Sequence, residues 1–172
     1  REFIRVIGLT IVQGFLWTMM IPVLPLFARS LGATEIHLGA ISTMPAIITI
    51  AGSIPGSALG LRYGRRALFM STHILGALCA LLFGATTSLS FILFPQLILG
   101  LSNTLFWPTQ GAYLMEMIPR AVRTRVMGYT MAMTGVGMIA GPIIGGFLID
   151  NAGYRVVFLT YALVSAVGLM FA

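Results

Sequence analysis

The sequence predicts an all-α transmembrane fold, a six-helix bundle built as a 3+3 inverted-topology repeat. Three observations predict it. Apolar residues make up 58% of the 172-residue chain and charged residues only 8%. Soluble domains carry about 25% charged residues, so this composition cannot cover a water-facing surface. The apolar residues also fall into six long runs, and a segment beginning near Gly39 recurs beginning at Gly128.

A helix needs about 20 apolar residues to cross about 30 Å of hydrocarbon. Runs of that kind lie at about 6–27, 36–61, 67–86, 91–115, 126–149 and 156–172, and together they make one domain over 1–172. Only helices and closed barrels satisfy the backbone in lipid. These runs lack the period-two alternation of barrel strands, so they read as helices. The first run is too long for the core of a cleaved signal. Cys79 is the single cysteine and lies mid-span, so no intramolecular disulfide is possible. Because the chain begins at Arg1 rather than Met, it reads as a segment of a longer protein.

Arginine placement predicts the orientation. Arg1 and Arg5 precede the first span, Arg62, Arg65 and Arg66 follow the second, and Arg120, Arg123 and Arg125 follow the fourth. Only Arg29 and Arg155 fall on the other side. The positive-inside rule then makes the amino terminus cytoplasmic in a multi-pass plasma-membrane protein. The net charge of +6 serves lipid headgroups and protein carboxylates rather than nucleic acid.

The internal repeat appears on a shift of 89 residues. Gly39 meets Gly128, Met44 meets Met133, and Ile50-Ala51-Gly52 meets Ile139-Ala140-Gly141. Gly56 meets Gly145, Leu59 meets Leu148, Gly64 meets Gly153, Arg66 meets Arg155 and Phe69 meets Phe158. Three spans separate the copies, so equivalent points fall on opposite sides of the membrane.

In the fifth span, Gly137, Gly141 and Gly145 stand four apart and share one helical face. Such a face lets two membrane helices approach closely. Pro142 removes the hydrogen bond to the Met138 carbonyl and bends the helix. With Gly128 and Gly146 these residues resemble the fifth-helix antiporter motif of the major facilitator superfamily, and fill all six of its fixed positions. The resemblance implies that the glycine face meets the other half of a transporter, leaving part of it open in this chain.

After the second span, Arg62, Gly64, Arg65 and Arg66 resemble the second half of that superfamily's cytoplasmic signature. Leu61 stands in its acidic position and Ser57 in its leading glycine position. After the fourth span, Glu116, Pro119, Arg120, Arg123, Arg125 and Gly128 resemble another family pattern. The arginines read as topology determinants or as gating contacts. Glu116 is expected to pair with Arg65 or an arginine after Pro119.

Polar residues mark a candidate cavity. Gln96, Asn103 and Gln110 are spaced by seven, with Trp107 on the same stripe, and Gln13 and Trp17 share a face of the first span. Amides in lipid are expensive unless they face protein or water, so these residues line a cavity or bond between helices. In the family, helices one and four line the central cavity. An arginine often precedes by four the position of Gly100, where this chain has Gln96. His73 reads as a packing residue. Glu2, Glu35, Glu116 and Asp150 all lie at span ends, so no mid-membrane carboxylate is available to carry a proton.

The resemblance implies the amino-terminal half of a twelve-helix secondary transporter of the drug:proton antiporter group. It would export a small molecule by alternating access in the bacterial cytoplasmic membrane, with protons and the carboxy-terminal half as partners. No cofactor or metal is implied beyond the proton gradient. An enzyme has no support: there is no G-x-S-x-G, no H-E-x-x-H and no P-loop. The alternative is a six-helix scaffold or homodimer that transports nothing.

Overall fold

The computed structural model describes residues 2–171. The side chains of residues 2–6, 9, 65, 113, 114, 117, 170 and 171 lie outside the described set, and with them the expectations placed on Arg1, Arg5 and the Arg65 side chain. Six helices follow in order: α1 (Glu2–Ser30), α2 (Glu35–Tyr63), α3 (Arg65–Ala85), α4 (Leu93–Met117), α5 (Arg123–Ala152) and α6 (Tyr154–Phe171). Single 3-10 turns at Leu89–Ile92 and Arg120–Val122 lead into α4 and α5, and no strand occurs among the described residues.

The helices overrun the apolar spans by up to a turn or more. Backbone hydrogen bonding continues into the polar ends, as in α1, which carries Arg29 in its last turn. Helices α1 to α5 are long and apolar enough to cross a membrane, whereas α6 carries a shorter apolar stretch, Tyr154–Leu169. Prolines inside α1, α2, α4 and α5 leave each helix continuous.

Gly64 joins α2 to α3 and Gly153 joins α5 to α6. Their backbones are nearly the same, φ 84°, ψ 146° and φ 79°, ψ 171°. Both lie in left-handed φ space, which glycine enters without steric cost. The two positions are 89 apart, the offset of the internal repeat.

Packing is paired. α1 runs along α5, α2 along α4, and α3 against both α4 and α6, with slighter contact between α1 and α6. The main core joins α1, α3 and α6 through Leu16, Met19, Val23, Phe27, Cys79, Phe83, Val157 and Phe158. Phe158 is its centre: its ring lies 5.1 Å from Phe27 edge-on and 5.5 Å from Phe83, stacked. Lipid tails are as apolar as these side chains, so dispersion from close packing stabilises the core rather than escape from water.

The face of Gly137, Gly141 and Gly145 corrects an expectation. These glycines are buried against α1 of the same chain, not left open for another half. The reason is on α1, whose Ile11, Phe15, Thr18, Met19 and Val23 lie against them. A Cβ on Gly141 would stand 2.5 Å from Thr18 Oγ1, 2.7 Å from Phe15 O and 2.8 Å from Met19 N. Reciprocally, a Cβ on Gly14 would meet Thr134 Cγ2 at 2.6 Å. Gly128 and Pro142 lie on the exposed side of α5, with Gly146 half-buried beside them, and a Cβ on Gly128 or Gly146 would meet nothing within 4 Å. The six motif positions therefore divide between a packed face and an open one.

Candidate functional site

Two adjoining cavities lie between the helices. The larger, about 460 Å³, is bounded by α1 from Trp17 to Pro25, α2 from Leu38 to Ile50, α4 from Gln96 to Trp107, and Tyr161 of α6. The smaller, about 50 Å³, lies between Thr10, Gln13, Gly14, Gln110, Thr134 and Met138. Trp17, Asn103 and Trp107 line both. The two indoles meet edge to face with centroids 5.7 Å apart, a geometry favoured by the ring quadrupoles. They stand where the two spaces adjoin.

All six residues singled out by polarity and spacing therefore border one of these spaces. The seven-residue stripe does not face a single concavity: Gln96 borders the larger space, Gln110 the smaller, and Asn103 both. Two helical turns carry a side chain about 10.5 Å along the axis, far enough to cross from one space to the next.

Burial distinguishes the amides. Gln13 and Gln96 are buried, at 5% and 1% exposure. The Oε1 of Gln13 has no partner. Neither Nε2 nor Oε1 of Gln96 has a partner. Tyr161 was not among the sequence-derived candidates. A hydroxyl in mid-span of α6 was the available signal, obscured by the apolar residues around it.

At the opposite end, Arg66 and Glu116 border one recess with Gly60, Leu61, Tyr63 and Gly64. Arg123 serves the end of α4: its Nη2 donates to Met115 O at 2.7 Å and Ile118 O at 3.3 Å, carbonyls a helix terminus leaves open. Arg62 and Arg125 lie over the rings of Tyr63 and Tyr129 at 5.5 and 5.7 Å. Arg62, Arg123 and Arg125, read from the sequence as topology determinants or gating contacts, thus have separate local surroundings. At the other membrane end Arg29 pairs with Glu35 at 2.7 Å, both exposed, which contributes about 0–1 kcal/mol. No cluster of metal-ligating side chains occurs among the described residues.

The Major Facilitator Superfamily model matches residues 6–172. The chain belongs to the major facilitator superfamily. This is a family of membrane transporters rather than enzymes, and the chain is a multi-pass membrane protein. Similar proteins include MdtD of Yersinia enterocolitica serotype O:8, named for multidrug resistance, 28% identical over 152 residues, or 88% of this chain and 32% of the relative. MdtD of Salmonella typhi, named likewise, is 26% identical over 154 residues, covering 89% of this chain and 33% of the relative. The chain spans about a third of the length of the curated relatives it matches.

Proposed function

We propose that this six-helix unit forms one wall of the translocation path of a drug exporter driven by proton antiport. The observation that carries the reading is the cavity of about 460 Å³ between α1, α2, α4 and α6, lined by indole, aliphatic and amide groups in a chain of this superfamily. Its size is that of pockets for drug-sized molecules. The names of the MdtD relatives support multidrug export from the bacterial inner membrane, and the arginine asymmetry supports a cytoplasmic amino terminus.

Three features support the inverted repeat. Gly64 and Gly153 share a conformation. Gly52 and Gly141, 89 apart, are each crowded by the partner helix, α4 and α1 respectively. The pairing of α1 with α5 becomes that of α4 with α2 when the triplets are exchanged. A second six-helix half would dock on α2 and α5, whose open faces carry Gly39, Ser57, Gly128 and Gly146 among exposed Ile50, Ile54, Ile139 and Phe147. Small residues favour helix association in lipid.

The test is transport by the full-length protein in inverted vesicles from cells lacking other exporters. Dye uptake should require a proton gradient and collapse with nigericin under conditions where the pH difference is the driving force. Asn103→Ala should alter relative uptake among a dye panel while membrane abundance stays near the parent's. Gradient-independent uptake would refute antiport, and equal loss across the panel would refute the role of this cavity in selection.

A further inference from the structure

We infer that the larger cavity selects uncharged amphiphiles carrying a carboxamide or lactam, and that Gln96 is the residue that reads this group. The inference rests on the proposed transport function and names its substrate class. Gln96 is 1% exposed, borders the cavity, and has neither amide atom partnered. A buried side-chain amide that makes no hydrogen bond is costly. Glutamine offers an acceptor and donors side by side, so a ligand presenting the complementary pair satisfies both at once. Carboxamides and lactams do so without a net charge.

The rest of the lining fixes the other half of the class. It holds Trp17, Trp107, Met20, Leu24, Ile41 and Leu99 and, among the described residues, no Asp, Glu, Lys, Arg or His. A cation or carboxylate entering here would shed hydration with no opposite charge to meet it. An apolar ring system against the indoles, with its amide turned to Gln96, satisfies both regions. Tyr161 borders the same space, and of the two buried amides, Gln13 and Gln96, only Gln96 has neither Oε1 nor Nε2 satisfied.

A site built to hydrogen-bond a ligand rejects the analogue lacking the group more strongly than an apolar pocket rejects a missing methylene. The experiment measures binding to the full-length protein in lipid nanodiscs by scintillation proximity, corrected for partition into protein-free nanodiscs. The probes are tritiated 2-naphthamide, 2-ethylnaphthalene and 2-naphthylmethylammonium. The parent should bind the amide on the order of tenfold more tightly than the hydrocarbon, and more tightly than the cation. Gln96→Leu and Gln96→Met should each erase the amide preference and leave hydrocarbon affinity within about twofold.

An amide preference that survives both substitutions, a cation that binds best, or no probe bound above the protein-free control would overturn the inference. If both variants fail to assemble, as judged by gel filtration, the parent's preference among the three probes decides. Binding is read without a gradient, which separates the two readings. A Gln96-dependent amide preference in a protein that moves nothing in vesicles would remove the transport reading alone. Proton-driven transport with no amide preference would remove this one alone.

Discussion

The seam of α5 on α1 and the seam of α2 on α4 use the same materials, glycine against threonine, in different ways. In the α2–α4 seam, the three heavy atoms nearest a Cβ on Gly52 would all belong to the Thr104 side chain, at 2.6 to 3.3 Å. The Thr104 hydroxyl crosses between helices, donating to Ile48 O at 3.2 Å as well as to Gly100 O at 2.9 Å. In the α1–α5 seam, a Cβ on Gly141 would meet backbone atoms of Phe15 and Met19 as well as Thr18. There the hydroxyls of Thr18 and Thr134 donate to carbonyls of their own helices. At Gly52 the contact is adjustable, in a seam bonded across the gap. At Gly141 the contact is set by backbone against backbone. Glycines aligned by the same sequence repeat therefore carry unequal constraints.

That contrast can be broken by substitution, with unfolding of the full-length protein in mixed micelles as the readout. Gly141→Ala should have the largest effect, about 3 kcal/mol of destabilisation, because backbone cannot rotate out of the way. Adding Thr18→Ala should not restore it, since Phe15 O and Met19 N remain; recovery on that addition would show that side chains set this seam too. Gly52→Ala should cost about 1 kcal/mol, and Thr104→Ala should relieve much of the clash. A double mutant no better than the sum of its parts would contradict the adjustable-seam reading.

Smaller effects sharpen the comparison. Thr104→Val keeps the shape and removes the interhelical bond, which in membranes averages about 0.6 kcal/mol. A loss several times larger would mean that the hydroxyl organises more of the seam than one bond. Gly146→Ala, on the open side of α5, should change stability by less than about 0.5 kcal/mol in this unit. A marked loss of transport with unchanged stability would instead place a partner helix against that face.

The helices were legible because long apolar runs leave the backbone no other way to satisfy itself in lipid. Gly64 and Gly153 were legible as equivalents because the repeat preserves the joints where glycine conformation matters. The glycine face of α5 was legible as a face, but its neighbour was not: four-residue spacing reports direction around one helix and is silent about which helix arrives. The same limit hid the meeting of Trp17 with Trp107, on helices three elements apart. It also hid the role of Arg123, whose charge suggested a carboxylate where the structure offers it the carbonyl end of α4. Gln96 was visible as a polar residue in an apolar run. Its lack of any partner depends on what surrounds it, which only the packed bundle shows.

The composition of the larger cavity has an electrical consequence. Moving one elementary charge through 100 mV of membrane potential involves about 2.3 kcal/mol. Among the described residues, the walls of this cavity, from Trp17 to Tyr161, contain no ionisable acid or base other than the phenol of Tyr161. Rearranging them displaces no formal side-chain charge through the field, and an uncharged ligand adds none. Voltage acts on this compartment only through whatever ion crosses with the ligand, so the current per ligand would count the coupled ions directly.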